Sequence, residues 1–155
     1  MQKILLVDDN FPFCKSFCET FDSRYEITVA DSIAVLHDRL YCDPGVDKYD
    51  NIILDLEIGF GEYTEAEWAE ICEEFNGIEL FLLNRNRALY GWDYYFRVIC
   101  TRDKTKNYNE RFVLFSAHVD ALRRQAPQEQ IAHLGNRLVK KGTLASEAEL
   151  MKIIG

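Results

Sequence analysis

The chain contains short, mostly apolar segments that alternate with stretches of mixed polarity. Four of them end on a polar residue or lead directly into one, and they span 3–7 (KILLV), 51–54 (NIIL), 112–116 (FVLFS) and 137–139 (RLV). A short apolar run is typical of a central strand in a parallel sheet, because helices cover both of its faces. Together with 26–30 (EITVA), these segments predict five strands.

The stretches between the strands favour helices. Residues 11–22 carry phenylalanine and cysteine at spacings of three and four, which is typical of a helix. Ser32 is a suitable cap for a helix that ends at about Tyr41, and residues 146–154 predict a last helix. A further helical stretch before the last strand is interrupted by Pro127. Alternating strands and helices indicate βαβ units around a parallel sheet, with right-handed crossovers.

The alternation is broken between the third and fourth strands. Residues 64–75 begin with a capping-box pattern and predict a helix, and 78–90 predict another. Residues 94–100 (YYFRVIC) favour an extra strand. We therefore predict a single domain over 1–155, with an insertion at about 58–110.

The second half of this insertion combines aromatic with basic side chains. They are Tyr90, Trp92, Tyr94, Tyr95, Phe96, Tyr108, Arg85, Arg87, Arg97, Arg102, Lys104, Lys106 and Arg111. Such interleaving occurs in proteins that bind single-stranded nucleic acid. Packing of an added hairpin or helix with a solvated rim is the simpler interpretation. A partner-docking surface is the functional alternative, because insertions on a rigid scaffold often carry specificity.

Composition and charge narrow the class of protein. The 155 residues suit one compact domain, and with 48% hydrophobic and 28% charged residues the chain can bury a core. The net charge of −8 disfavours binding of the whole chain to nucleic acid or to a membrane surface. The sequence has no run of 18 apolar residues and no signal peptide at its start, so we expect a cytoplasmic protein.

The cysteines are odd in number and form no CxxC pair, which indicates reduced thiols in a cytoplasmic protein. They are Cys14, Cys18, Cys42, Cys72 and Cys100. Cys14 and Cys18 lie four apart, on one face of a predicted helix that also carries phenylalanines. We interpret this pair as core residues rather than metal ligands.

Polar side chains stand at the ends of four predicted strands. They are Asp8, Asp9, Asp55, Ser116 and Lys140. In open parallel sheets, functional groups collect at the carboxyl ends of the strands. Three carboxylates in one cleft repel each other, and a hard divalent cation such as Mg²⁺ relieves that repulsion.

These residue types match the needs of phosphoryl transfer. A carboxylate such as that of Asp55 can act as the nucleophile and form an acyl phosphate. Mg²⁺ and the ammonium of Lys140 would neutralise the phosphoryl oxygens, and the hydroxyl of Ser116 would donate a hydrogen bond. Each residue alone suits an ordinary turn, cap or surface charge, so the interpretation depends on their joint placement.

The segments ILLVDDN, IILDL, VLFSA and RLVKK, in this order, resemble the receiver domain of two-component response regulators. The resemblance covers most of 1–57 and 111–155. Residues 77–80 (GIEL) also resemble the start of that family's third helix, and 134–136 (LGN) the turn before its fifth strand. It implies a flavodoxin-like α/β fold, a three-layer sandwich with a five-stranded parallel sheet in the order 2-1-3-4-5.

The resemblance also implies roles for the strand-end residues. Mg²⁺ would be held by Asp8, Asp9, Asp55 and the backbone carbonyl of Glu57. Asp55 would be the phosphoacceptor, with Ser116 as the hydroxyl residue and Lys140 as the lysine of the last strand. His118, two residues after Ser116, would influence how water reaches the acyl phosphate.

Three features depart from the family pattern. Lys141 stands where a proline usually follows the lysine, and Arg137 replaces the aromatic residue three positions before the lysine. The stretch between Asp55 and Ser116 is about twice the usual length. These departures affect the loop after the last strand and the coupling of the switch.

The implied function is signal relay rather than enzymatic turnover, apart from self-catalysed phosphorylation and dephosphorylation. A sensor histidine kinase or a phosphotransfer protein would donate the phosphoryl group, and a downstream protein partner would read the switched face. A homodimer through the family's α4-β5-α5 face is one such arrangement, whereas a membrane or nucleic acid is not an expected partner. The alternatives are a degenerate receiver that acts as a phosphorylation-independent interaction module, and a Mg²⁺-dependent phosphatase that uses Asp55 as its nucleophile with Glu57 two residues on.

Overall fold

The computed structural model describes residues 1–41, 48–59, 82–83, 87–143 and 145–155. Its strands are β1 (Gln2–Val7), β2 (Tyr25–Ala30), β3 (Asn51–Asp55), β4 (Leu82–Leu83), β5 (Arg87–Ala88), β6 (Phe112–Ser116) and β7 (Leu138–Lys140). Five of them form one parallel sheet in the order β2-β1-β3-β6-β7. Since β6 and β7 are its fourth and fifth strands, the predicted order 2-1-3-4-5 is confirmed.

The first two helices begin where side chains cap them. Helix α1 (Phe11–Phe21) follows Asn10, whose side-chain oxygen accepts a hydrogen bond from the Phe13 N–H at 3.1 Å. Helix α2 (Ile33–Tyr41) follows Ser32, whose hydroxyl accepts from the Val35 N–H at 3.2 Å. Both helices are confirmed as predicted.

The region between β3 and β6 differs from its prediction. Leu82–Leu83 and Arg87–Ala88 pair as antiparallel strands, where a helix over 78–90 was expected. The predicted helix over 64–75 lies outside the described residues, as does the segment 77–80.

The expected strand over 94–100 is wrong. Helix α3 (Tyr90–Tyr94) continues as a π-helical turn over Tyr95–Ile99, and a 3₁₀ helix over Lys106–Arg111 then leads into β6. The buried positions 94, 95, 98 and 99 recur at the spacing of a helix rather than of a strand. Packing against the sheet therefore outweighs the strand preference of aromatic and β-branched residues.

Two helices precede the last strand because Pro127 divides them. Helix α4 (Val119–Gln125) ends before Ala126, which is extended with ψ 158°, as expected for a residue that precedes proline. Helix α5 (Gln128–Leu134) follows and leads through a 3₁₀ turn into β7. Helix α6 (Ser146–Ile154) then closes the described chain.

The sheet has a hydrophobic core on each face, because its strand side chains alternate. We call the side covered by α1 and α6 the α1 face; its strand residues include Ile4, Leu6, Ile53, Val113, Phe115 and Val139. We call the opposite side, covered by α2 and α3 among others, the α3 face; its strand residues include Leu5, Val7, Ile52, Leu54, Leu114 and Leu138. This alternation decides on which side each strand-end residue emerges.

Among the described residues, the cysteines are unpaired thiols: Cys14 is buried, and Cys18 and Cys100 are half-buried. In the same part of the chain, no helix combines the length and the apolar character that crossing a membrane requires.

Candidate functional site

Three carboxylates meet at the carboxyl edge of the sheet. Ligand oxygens of Asp8, Asp9 and Asp55 all lie within 4.8 Å of one another. They meet because β1 and β3 are neighbours in parallel register, with Val7 opposite Leu54. Asp8 and Asp55 are only 1% and 7% exposed, whereas Asp9 is exposed to solvent.

Local turns fix the two buried carboxylates. The Asn10 N–H donates to Oδ1 of Asp8 at 2.9 Å, and the Glu57 N–H donates to Oδ1 of Asp55 at 3.3 Å. In each case the side chain accepts a bond from the backbone two residues later, which is the usual geometry of an Asx turn. The bond from Glu57 also keeps that residue's main chain beside Asp55.

The ammonium in the site belongs to Lys141. Its Nζ lies 2.5 Å from Oδ2 of Asp8 and 3.6 Å from Oδ2 of Asp55. The sequence-based prediction assigned this position to Lys140, whose Nζ instead lies 2.7 Å from Oδ2 of Asp120 in α4. The side chain of Lys141 is 18% exposed and that of Lys140 is 43% exposed, so the two lysines occupy different environments.

Strand alternation explains why Lys141, and not Lys140, lies in the site. Val139 packs on the α1 face, and the Lys141 N–H continues the pairing of β7 by donating to the Ser116 carbonyl at 2.8 Å. Lys141 therefore emerges on the same side as Val139, which is also the side of Asp8 and Asp55. Lys140 lies between them in the chain and points to the other side, with Leu138.

With Lys141 rather than Lys140 as the lysine of the site, two departures from the receiver pattern fall on different residues. With Lys141 in the site, the residue that follows the lysine is Gly142, which has a φ of 85°. The residue three positions before the lysine becomes Leu138, which is buried. Arg137 lies elsewhere, where it donates to the carbonyls of Asn109 and Phe112.

Ser116 ends β6 at the same edge of the sheet, but its register partner is Lys140, so it lies on the side opposite Asp55 and Lys141. It is fully buried, and it lies one residue beyond Phe115, which pairs with Asp55. Its Oγ accepts a hydrogen bond from the His118 N–H at 3.0 Å. The imidazole of His118 contacts the carboxylate of Glu57, so the residues after β3 and β6 are joined by a side-chain pair.

Burial and neighbouring charges perturb the acid and the base of the site. Burial, followed by the negative charge of Asp8, raises the pKa of Asp55 to about 6, although Lys141 and the Glu57 N–H oppose the shift. Burial by itself would lower the pKa of Lys141. The hydrogen bond to Asp8 and the charges of Asp55 and Asp8 outweigh it, so the pKa of Lys141 is raised. The site thus has a weakened acid beside a firmly charged ammonium.

The carboxylate cluster fits a hard divalent cation. Its donors are oxygens, which Mg²⁺ prefers, and Mg²⁺ commonly uses a few carboxylates and completes its octahedron with water. Exposed Asp9 gives the cluster a solvent side where such waters can bind. A cation there would also offset the repulsion between Asp8 and Asp55 that contributes to the raised pKa of Asp55.

Sequence reasoning missed Gly91, which joins α3 to the site. The Gly91 N–H donates to the Leu56 carbonyl at 3.2 Å. A Cβ at position 91 would lie 2.8 Å from the Asp55 carbonyl oxygen and 2.9 Å from the Leu56 Cα. Glycine therefore lets α3 pack directly on the backbone at the end of β3. The available signal was a glycine at the start of an apolar, helically spaced segment, but the similar segment 77–80 competed with it.

The fold and strand order are those of response-regulator receiver domains. Among solved structures, the chain is similar to the non-phosphorylated HemR receiver domain from Leptospira biflexa, with 17% identity, a TM-score of 0.55, and coverage of 100% of this chain and 95% of that chain. It is also similar to the bacteriophytochrome response regulator AtBRR, with 16% identity, a TM-score of 0.55, and coverage of 99% and 90%. No family model and no curated protein matches the sequence. The predicted fold is thereby confirmed.

Proposed function

We propose that this chain is a phosphoacceptor signalling domain in which Asp55 receives a phosphoryl group. The observation that carries this proposal is the convergence of three carboxylates and one ammonium from chain-distant segments. Mg²⁺ would be held by Asp8, Asp9, Asp55 and the backbone carbonyl of Glu57. When bound, it would neutralise negative charge on the phosphoryl oxygens.

In the proposed reaction, a carboxylate oxygen of Asp55 attacks the phosphorus of a phosphohistidine. The new bond joins that oxygen to phosphorus, and the bond between phosphorus and the donor's imidazole nitrogen breaks. The ammonium of Lys141, 3.6 Å from Oδ2 of Asp55, would stabilise the charge on a phosphoryl oxygen. The buried hydroxyl of Ser116 would turn from the Lys140 side toward Asp55 to donate a hydrogen bond to the acyl phosphate.

We assign the lysine role to Lys141 instead of Lys140. Direct contact with Asp8 and proximity to Asp55 support this assignment, whereas Lys140 is paired with Asp120 on α4. Lys140 is consequently a matched control, since it is the same residue type one position away in the chain.

The proposed partners follow from the reaction. A sensor histidine kinase or a phosphotransfer protein in the cytoplasm would carry the phosphohistidine. A downstream partner, or a second copy of this chain, would read the surface formed by α4, α5, β7 and α6. Ser116 at the end of β6 and the pair between Lys140 and Asp120 join the site to that surface.

A small-molecule phosphodonor tests the proposal without the cognate kinase. Wild type is incubated with phosphoramidate or acetyl phosphate and Mg²⁺, and the intact protein is weighed by mass spectrometry. We expect a gain of one phosphoryl group that depends on Mg²⁺ and is absent in Asp55→Asn. An unmodified wild type, or an undiminished adduct in Asp55→Asn, would remove the proposal.

The second candidate is a phosphorylation-independent interaction module. Leu138 in place of an aromatic switch residue and Gly142 after the lysine favour it, since both depart from the receiver pattern. It predicts that a partner binds wild type and Asp55→Asn equally well under phosphorylating conditions. The phosphatase alternative would require Glu57 to act on substrate, but its carboxylate contacts His118. Turnover of small phosphomonoesters would favour that alternative.

A further inference from the structure

The ammonium of Lys141 contacts aromatic rings as well as carboxylates. Its Nζ lies 4.6 Å from the centroid of the Phe13 ring and 5.8 Å from that of the Phe115 ring. Both distances are within the range of attractive cation–π contacts. The two rings also contact each other, with centroids 5.8 Å apart and planes tilted by 47°.

Each ring is held by a different element of the fold. Phe13 lies in the first turn of α1, where its N–H is bonded to the Asn10 side chain, and its ring contacts Phe17 at 6.0 Å. Phe115 is buried in β6, directly opposite Asp55 in the register of the sheet. The rings are thus fixed relative to the carboxylates before any ligand arrives.

Lys141 needs such a restraint because a fixed backbone does not by itself position its long side chain. A lysine side chain has a flexible four-carbon stem, so it loses much conformational entropy when it is held in one place. The residue that follows it is Gly142, with a φ of 85°, and glycine has the greatest backbone freedom of all residue types. The Lys141 N–H is bonded to the Ser116 carbonyl, which fixes the backbone but leaves the side chain to be positioned by its contacts.

We propose that Phe13 and Phe115 form an aromatic clamp that positions the ammonium of Lys141 beside Asp55. Partial burial strengthens the contact, since cation–π attraction increases as the cation loses water, and the Lys141 side chain is 18% exposed. The clamp matters most when the Asp8 carboxylate is engaged by a cation, because the rings still hold the ammonium then. Phe13 and Phe115 are positioning residues, and this inference rests on the proposed function.

Nuclear magnetic resonance tests the clamp independently of phosphorylation. Protons on the ε-carbon of Lys141 should be shifted upfield by the ring currents, and Lys141→Met identifies their signal by removing it. We expect Phe13→Leu to move the signal toward the position of a solvated lysine, and Phe13→Trp to keep it shifted. Phe17→Leu is the matched control. Phe17 lies on the same helix and in the same core, but its ring packs against Phe13, whereas the Lys141 ammonium lies over Phe13 and Phe115. An unchanged Lys141 signal in Phe13→Leu would overturn the proposal.

A double-mutant cycle then connects the clamp to the reaction. The rate of phosphorylation by phosphoramidate with Mg²⁺ is measured for wild type, Phe13→Leu, Lys141→Met and the double variant. We expect Phe13→Leu to slow the reaction roughly 3- to 10-fold in wild type and to have no further effect when Lys141 is replaced. Phe115→Leu should act in the same direction, and Phe17→Leu should leave the rate within about twofold.

The two experiments separate the clamp from the proposed function. Equal slowing by Phe13→Leu with and without Lys141 would show a general packing defect and overturn the clamp. Failure of wild type to be phosphorylated would count against the phosphoacceptor function, while the Lys141 signal would still decide whether the rings hold the ammonium.

Discussion

Two consecutive lysines at the end of the last strand lie on opposite faces of the sheet and have different environments. On the α1 face, Lys141 is mostly buried between carboxylates and aromatic rings. On the opposite face, Lys140 is half exposed and pairs with Asp120, which is itself largely exposed. The difference shows that one step along a strand decides whether a lysine faces the acidic cluster or the exposed surface, because successive side chains point to opposite sides.

Replacing each lysine in turn should give the largest difference between the two faces. Lys141→Met should slow phosphorylation by phosphoramidate roughly 100-fold at saturating Mg²⁺, since it removes a preorganised charge from the reacting oxygens. Lys140→Met should leave the rate within about twofold, because the pair it breaks is at the surface. The single-turnover rate is measured by intact-protein mass spectrometry.

The opposite result would contradict the assignment of the lysine role to Lys141. A large loss in Lys140→Met with little change in Lys141→Met would restore the assignment made from sequence. Thermal unfolding of both variants checks that each remains folded at the assay temperature.

The contact of α3 with the site offers a second comparison, between two glycines. Gly91→Ala should destabilise the protein by roughly 1–3 kcal/mol, because its Cβ would meet the backbone of Asp55 and Leu56 at 2.8 and 2.9 Å. Gly59→Ala is the control, since a Cβ there meets nothing within 4 Å. Urea unfolding measures both. Equal stability of the two variants would mean that the backbone adjusts freely at position 91.

The raised pKa of Asp55 predicts a pH-dependent difference in stability. The folded-state pKa, about 6, is above the ordinary value of 3.8, so the group's contribution to stability is fully present below pH 3.8 and is lost as pH rises through 6. Asp55→Asn stays neutral and should be more stable than wild type above pH 6, on the order of 1–3 kcal/mol without divalent cations. Below pH 4 the two should be nearly equal.

Urea unfolding at pH 4 and pH 7.5 measures this difference. Added Mg²⁺ should reduce it by stabilising the ionised wild type selectively. A stability gap that does not change with pH would contradict the assignment of the shift to Asp55.

The smallest effect is expected on the peripheral side. The hydrogen bond from Lys140 lowers the pKa of Asp120, but the group is exposed to solvent, so its ion pair is screened. Asp120→Asn should leave both the thermal midpoint and the phosphorylation rate unchanged within error. A clear loss of phosphorylation would show that this surface contributes to the reaction.

The strands were predictable because buried parallel strands are continuous apolar runs, and their order was implied by the resemblance to receiver domains. The segments at 3–7, 51–54 and 112–116 have no helical spacing, and each ends on a polar residue or lies directly before one. The region 94–100 was not predictable in the same way, since its aromatic and β-branched residues suit both a strand and a buried helix. Packing of this segment against the sheet stabilises the helix instead of a strand.

The acidic cluster was predictable for a related reason, and the lysine was not. Asp8 and Asp55 follow strands that are neighbours in the sheet, so their meeting follows from the topology. Leu138 and Val139 are both apolar, because both faces of the strand are buried, and the sequence therefore lacks the alternation that shows which lysine faces the site. The role of Gly91 was not predictable, because it depends on a contact between distant segments that local sequence patterns do not show.

The most direct test of the central claim is to locate the phosphoryl group on the chain. Borohydride reduces an aspartyl phosphate to homoserine, and peptide mass spectrometry identifies the converted residue after treatment with phosphoramidate and Mg²⁺. We expect homoserine at position 55 in wild type and none in protein treated without Mg²⁺. Conversion at another residue, or none anywhere in the chain, would contradict it.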